Sequence, residues 1–287
     1  MNDANGVLVL GATSLVGRYL VPRLVAEGMA PAAVSRAPPP ETSSGVKWIA
    51  ADLTDPDLAR RLPPAATVFS LMPIWLLPAA LPALTAGGMR RLVAFSSTSR
   101  FTKTGSPDAA ERETARRLAD GEAQAVAACE AAGAAWTILR PTLIYAEGQD
   151  GNVSRLAGLI RRFGVLPLAG RGAGLRQPVH AEDLAAGAAA AAKAAAASGR
   201  AYDLPGGETL SYRAMAVRIF EALGRRPAIV SIPPAAWKAG LALASPFLPG
   251  ATAGMGVRMA EDLTFDAGPA ARDFGWAPRD FRPRFRS

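Results

Sequence analysis

The stretch Val7-Leu8-Val9-Leu10-Gly11-Ala12-Thr13-Ser14-Leu15-Val16-Gly17 is a short apolar run, a glycine turn and the start of an amphipathic helix. Four consecutive apolar residues suit a strand buried on both faces. Gly11 permits a tight turn, and Gly17 lets the helix lie close to the strand. Leu15, Val16, Leu20 and Leu24 recur at helical spacing. A helix entered this way presents free N–H groups and the positive end of its dipole, which is a cradle for a dinucleotide pyrophosphate. The glycine pattern alone is weak evidence; its place between a strand and a helix makes it stronger.

The first half alternates strands (6–10, 31–35, 46–50, 66–71, 91–96, 135–139) with helices (14–28, 55–62, 77–87, 109–132). That alternation predicts an α/β, Rossmann-type doubly wound parallel sheet. Gly28 stands where a helix cap is expected. Asp120-Gly121 interrupts the long helix pattern, and 145–175 reads as loop-rich. Further on come an alanine helix at about 181–197, a short strand at Tyr202-Asp203-Leu204, a helix over 212–223 capped by Ser211 and ended by Gly224, and a strand near 228–232. The expected division is a dinucleotide-binding domain over 1–141 and a smaller mixed C-terminal substrate lobe over 142–287, which crosses back to the sheet near 175–204.

Of 287 residues, half are apolar, enough for a substantial core. The single Cys129 excludes a disulfide framework, and the single His180 excludes a multi-histidine metal site. The net charge of +8 comes almost entirely from arginine. The arginines are scattered in pairs, with no long basic run, so no nucleic-acid partner is expected. No basic region precedes the first apolar run, which reads as no signal peptide and a cytoplasmic protein. The uncharged stretches 62–89 and 239–257 reach the length of membrane spans, but their prolines argue for buried strand and cleft wall. Peripheral contact with a membrane or a protein complex stays open as an alternative.

The second strand ends at Val34-Ser35-Arg36. An acidic residue there would hold the ribose 2′-hydroxyl of NAD; Ser35 and Arg36 suit a 2′-phosphate, so NADP is expected over NAD. Asp52, ending the third strand ahead of Leu53, either accepts from the adenine amino group or caps the next helix with Asp55.

With Gly11–Gly17, Asp52-Leu53, Phe95-Ser96-Ser97-Thr98, Thr137-Ile138-Leu139-Arg140-Pro141, Arg176-Gln177-Pro178-Val179-His180, Asp183-Leu184-Ala185 and Tyr202–Gly207 in this order, the chain resembles the extended or atypical short-chain dehydrogenases/reductases of the NAD-dependent epimerase/dehydratase type. The nearest branch is similar to the NADPH-binding accessory subunit of respiratory complex I and its bacterial relatives. The resemblance implies a cofactor set of Gly11, Thr13, Ser14, Leu15, Val16, Gly17, Ser35, Arg36, Asp52, Leu53, Leu71, Met72, Ser96, Ser97 and Pro141. It implies Thr98 as the hydroxyl beside the reacting carbon, with Lys103 as a nearby cation, and Tyr145, Arg176 and His180 toward an unknown small substrate. Asp183 either orients His180 or caps the alanine helix.

Two departures stand out. Ser14 replaces the family's second glycine, where it can cap the helix. The family's catalytic Tyr and the Lys four residues later are missing. Four residues after Tyr19, Tyr145, Tyr202 and Tyr212 stand Arg23, Gln149, Gly206 and Ala216. Aligning Glu122 with the family's glutamate puts Thr114 and Leu118 in the two catalytic positions. The resemblance therefore implies either an oxidoreductase or epimerase acting on a nucleotide-sugar-like or lipophilic alcohol or ketone with non-standard residues, or a non-catalytic NADP(H)-binding accessory, assembly or redox-sensing protein.

Overall fold

The structure, a computed structural model, describes residues 6–39, 45–55, 57–233, 236–237 and 259–285. Strand β1 (Val7–Leu10) is buried at every position. Its side chains alternate as a strand must: Val7 and Val9 enter one core, Leu8 and Leu10 the other. Helix α1 (Gly17–Ala26) follows, then β2 (Ala32–Ser35), β3 (Lys47–Ala50), α2 (Leu58–Arg61), β4 (Thr67–Ser70), α3 (Leu77–Ala86), β5 (Arg91–Phe95), α4 (Ser99–Thr102), α5 (Ala109–Ala131) and β6 (Ala135–Pro141). The predicted alternation is present, with element ends shifted by a few residues.

The second half supplies β7 (Ile144–Tyr145), α6 (Val153–Phe163), β8 (Leu166–Ala169), β9 (Leu175–Arg176), β10 (Val179–His180), α7 (Ala181–Lys193), β11 (Arg200–Leu204), β12 (Leu210–Ser211), α8 (Tyr212–Ala222), β13 (Ile229–Ile232) and α9 (Gly268–Phe274). The stretch 145–175, expected to be loop-rich, holds a full helix, α6, and several short strands. Ser211 caps α8 by accepting from the Ala214 N–H at 3.0 Å. The alanine helix ends at Lys193, and a 3-10 turn, Ala195–Ala197, completes it.

Seven strands form one parallel sheet in the order β11-β6-β5-β4-β1-β2-β3. The order turns back between β1 and β4, the crevice where ligands bind in such sheets. Strand β11 returns from the second half to pair with β6. Helices α1 and α7 cover one face, with Trp276 packed among them. Helices α2, α3 and α5 cover the other. A third core, built on α6, β8, α8, Tyr145 and Phe281, belongs to the second half. The uncharged stretch 62–89 folds as β4 and α3. The other, 239–257, lies outside the described residues. No helix among the described residues is long and apolar enough to cross a membrane.

Gly121 does not break α5, which runs unbroken through it. A side chain there would meet the Trp75 backbone at 2.9 Å, so the glycine serves close packing rather than a stop. Gly121→Val is expected to destabilise the fold by about 1–3 kcal/mol through overpacking, measured as a lower urea midpoint at unchanged slope.

Candidate functional site

Gly11 takes the left-handed conformation, with φ 72°. A methyl group there would lie 2.8 Å from Met72 Cγ, and one on Gly17 would lie 2.3 Å from the Ala12 carbonyl oxygen. The N–H groups of Gly11 and Ala12 both donate to the Val34 carbonyl at 3.0 Å, tying the turn to β2. Ser14 Oγ accepts from the Gly17 N–H at 3.2 Å, so its side chain does cap the helix start. The N–H groups of Thr13, Leu15 and Val16 meet no backbone acceptor among the described residues. The first turn of α1 carries no acidic residue. Free donors, a positive helix end and two positions where no side chain fits are the features a dinucleotide pyrophosphate needs.

At the end of β2, Ser35 is buried. Its hydroxyl lies 2.8 Å from Thr13 Oγ1 and accepts from the Ala37 N–H at 3.2 Å. Ser35 therefore braces the turn, while Arg36 is exposed beside it. Asp52 Oδ1 accepts from the Thr54 N–H at 2.9 Å and the Thr54 hydroxyl at 2.7 Å. These bonds, with the Arg36 charge adding to them, hold the Asp52 carboxyl below its usual range. Asp55 in turn accepts from the Asp57 N–H. Leu53 is buried among the α2 and α3 side chains, and Leu71 and Met72 pack against opposite cores at the end of β4.

Beyond β5 the three hydroxyls diverge. Ser96 donates to Glu122 Oε1 at 2.6 Å. Thr98 is buried and donates to the Pro141 carbonyl at 3.1 Å. Ser97 Oγ accepts from the Ser99 N–H at 3.1 Å, and its own hydrogen has no acceptor among the described residues. Ser97, Thr98 and Lys103 face a cavity of about 450 Å³ between the sheet ends and the second half. Lys103 Nζ is 3.9 Å from Glu111. Arg176 lies on the same cavity, buried, and Nη1 donates to the Leu175 and Glu261 carbonyls at 2.6 and 2.8 Å.

Tyr145 and His180 are elsewhere. They face a second, polar cavity of about 850 Å³ together with Tyr19, Glu147 and Arg279. His180 Nδ1 accepts from the Glu182 N–H at 3.1 Å and so caps α7. That leaves Nε2 to donate to Glu147 Oε2 at 3.2 Å. Burial pushes the Glu147 carboxyl up, but hydrogen bonds from His180 and the Arg284 N–H outweigh it and hold the group low. The Tyr145 ring is buried edge-on against His180 and Phe281, each at 5.0 Å. Burial, with the Glu147 charge, pushes its phenol well above the usual range. Asp183 pairs with Arg279 and does not touch His180.

The feature that sequence reasoning missed is the set of partners around Glu122. This carboxylate is 2% exposed. It takes Arg140 Nη2 at 2.6 Å, a short ion pair from Arg100, and the Ser96 hydroxyl. Arg140 Nη1 also lies 3.8 Å from Asp203. The signal was an acidic residue on the buried face of α5 opposite the Arg140-Pro141 strand end. Along the same helix, the Thr114 hydroxyl donates back to the Ala110 carbonyl at 2.8 Å, and Leu118 is core. Neither can act as the missing acid and base. Glu122→Ala leaves two guanidinium groups facing a buried gap and is expected to cost about 3–5 kcal/mol, read by chemical denaturation.

A sequence profile described as NAD(P)H-binding matches residues 11–161. No curated protein sequence matches the chain. Among solved structures, MoeE5 in complex with UDP-glucose and NAD is 22% identical, with a TM-score of 0.73 over 96% of this chain and 94% of that one. The epimerase Mth375 of Methanothermobacter thermautotrophicus is 18% identical, with a TM-score of 0.76 over 98% and 90%. The dTDP-glucose 4,6-dehydratase DesIV of Streptomyces venezuelae, a double mutant with NAD bound, is 18% identical, with a TM-score of 0.74 over 96% and 92%. At these identities the likeness speaks to the fold, which is that of the extended epimerases and dehydratases.

Proposed function

The chain belongs to the NAD(P)H-binding family, and from that premise we propose that it is an NADP(H)-dependent oxidoreductase acting on a small carbonyl compound or the matching alcohol. One observation carries this reading. The turn with free N–H groups and the cavity beside Ser97 and Thr98 both lie at the carboxyl ends of the same parallel sheet, where such folds place cofactor and substrate together.

Thr13, Leu15 and Val16 would receive the pyrophosphate through their N–H groups. Arg36, exposed where a NAD-specific site carries a carboxylate, would meet a 2′-phosphate. When bound, the cofactor supplies or accepts the hydride; the remaining work falls to side chains. The Ser97 hydroxyl, with its hydrogen uncommitted, donates to the substrate oxygen. Thr98, tied to the Pro141 carbonyl, holds the loop that aims Ser97. Lys103 supplies the proton that turns the oxygen into a hydroxyl, directly or through water. This reassigns the carbonyl contact from Thr98 to its neighbour. A second reading, a non-catalytic NADP(H)-binding accessory protein, is favoured by Leu118, which fills with core the position of the family's lysine.

Calorimetric titration tests the cofactor. NADPH is expected to bind at least tenfold tighter than NADH, and Arg36→Ala to erase most of that difference; equal affinities would contradict the NADP assignment. Lys103→Met is expected to lower ketone-dependent NADPH oxidation by about 10²-fold, with NADPH affinity unchanged. Tight NADPH binding with no oxidation by any carbonyl compound would decide for the accessory reading.

A further inference from the structure

The cavity beside Ser97 has two unlike parts. Hydroxyls and Lys103 stand at the sheet end, while the body is walled by Leu143, Leu156, Leu159, Leu168, Met215 and Phe265. Most polar groups on that wall are already spent on the protein. Arg176 donates to two backbone carbonyls. Gln177 donates to Thr209 Oγ1 and the Phe265 carbonyl and accepts from the Phe265 N–H. Asn152 Nδ2 donates to the Ile144 carbonyl, and the Thr142 hydroxyl to the Gln177 carbonyl. Arg155 is partnered as well. One donor stands apart. Trp237 is 8% exposed and faces the cavity, and its indole Nε1 is buried with no hydrogen-bond partner among the described residues.

A nucleoside diphosphate would bring charged phosphates against this wall, where, among the described residues, Arg155 and Arg176 are already engaged by the protein. Burying charge unpaired is far more costly than burying carbon. An apolar body gains by leaving water, and an orphaned buried N–H gains from any acceptor brought to it. Building on the reading of this cavity as the substrate site, we propose that its ligand is a lipophilic ketone or the matching alcohol. Its carbon body lies on the leucine wall, and a further oxygen accepts from Trp237 Nε1. Nucleoside diphosphate sugars are excluded. In the reductive direction the carbonyl carbon gains a hydride, its oxygen gains a proton, and NADPH leaves as NADP⁺.

The test measures binding of a graded series of methyl oxoalkanoates, a long-chain methyl ketone and UDP-glucose to the full chain loaded with NADPH, recording NADPH oxidation in the same samples. The oxoalkanoates are expected to bind. Trp237→Phe should weaken the best of them about fivefold, the worth of one hydrogen bond, and leave the simple ketone unchanged. Leu156→Trp, which narrows the cavity, should abolish both. Binding of UDP-glucose that Leu156→Trp removes would overturn the inference. So would failure of every oxoalkanoate to bind a chain that holds NADPH. Binding without NADPH oxidation would instead sink the oxidoreductase reading and leave the lipophilic cavity standing.

Discussion

A single backbone approach sets the geometry on which the site depends. At residue 17 there is no room for a side chain: a Cβ would sit 2.3 Å from the Ala12 carbonyl oxygen. Because Gly17 is bare, α1 starts against the turn that leaves β1. The Gly11 and Ala12 N–H groups are spent on Val34, which fixes the turn to β2. Ser14 satisfies Gly17. Among the described residues, the N–H groups of Thr13, Leu15 and Val16 are left without a backbone acceptor, and these are the groups an anion can use. Serine in place of a glycine alters the edge of this cradle without closing it.

The second constraint is electrostatic. Glu122 sits in the core between β5, β6 and α5, and such a carboxylate persists only when fully paired. Arg100, Arg140 and Ser96, the residue that follows β5, provide that pairing. Ser96 is turned inward to the carboxylate, so the next two residues face the cavity. The same cluster occupies the helix face from which the family's acid and base would act one and two turns earlier. Thr114 and Leu118 stand on that face without acid or base character, so under the proposed oxidoreductase reading the proton traffic would fall to the loop hydroxyls and Lys103.

Several of these features are encoded in local sequence pattern. Four consecutive apolar residues mark Val7–Leu10 as a doubly buried strand, and in the fold they feed two cores alternately; the Ser211 cap shows as a serine ahead of an apolar helical pattern. Other features depend on contacts that no local pattern encodes. Gly121 looks like a breaker until the Trp75 backbone is seen lying on it. Helix α6 carries Val153, Leu156, Ala157 and Ile160 at helical spacing, yet its surrounding glycines read as loop. Arg176 and His180 are four residues apart, but Arg176 sits on β9, which pairs with β12, and His180 on β10, which pairs with β7. That change of partner sends one side chain to the apolar cavity and the other, with Tyr145, to the polar one. Pairing between distant strands, not spacing along the chain, made that separation.

On this reading the turn after β1 receives a dinucleotide through the N–H groups of Thr13, Leu15 and Val16. Such binding is tested most directly by recording amide resonances of the ¹⁵N-labelled chain while NADPH is added. The resonances of Thr13, Leu15 and Val16 should shift furthest, with those of Gly11 and Ala12, already bonded to Val34, moving less. Saturable NADPH binding that leaves the Thr13, Leu15 and Val16 resonances in place would show that the dinucleotide binds elsewhere.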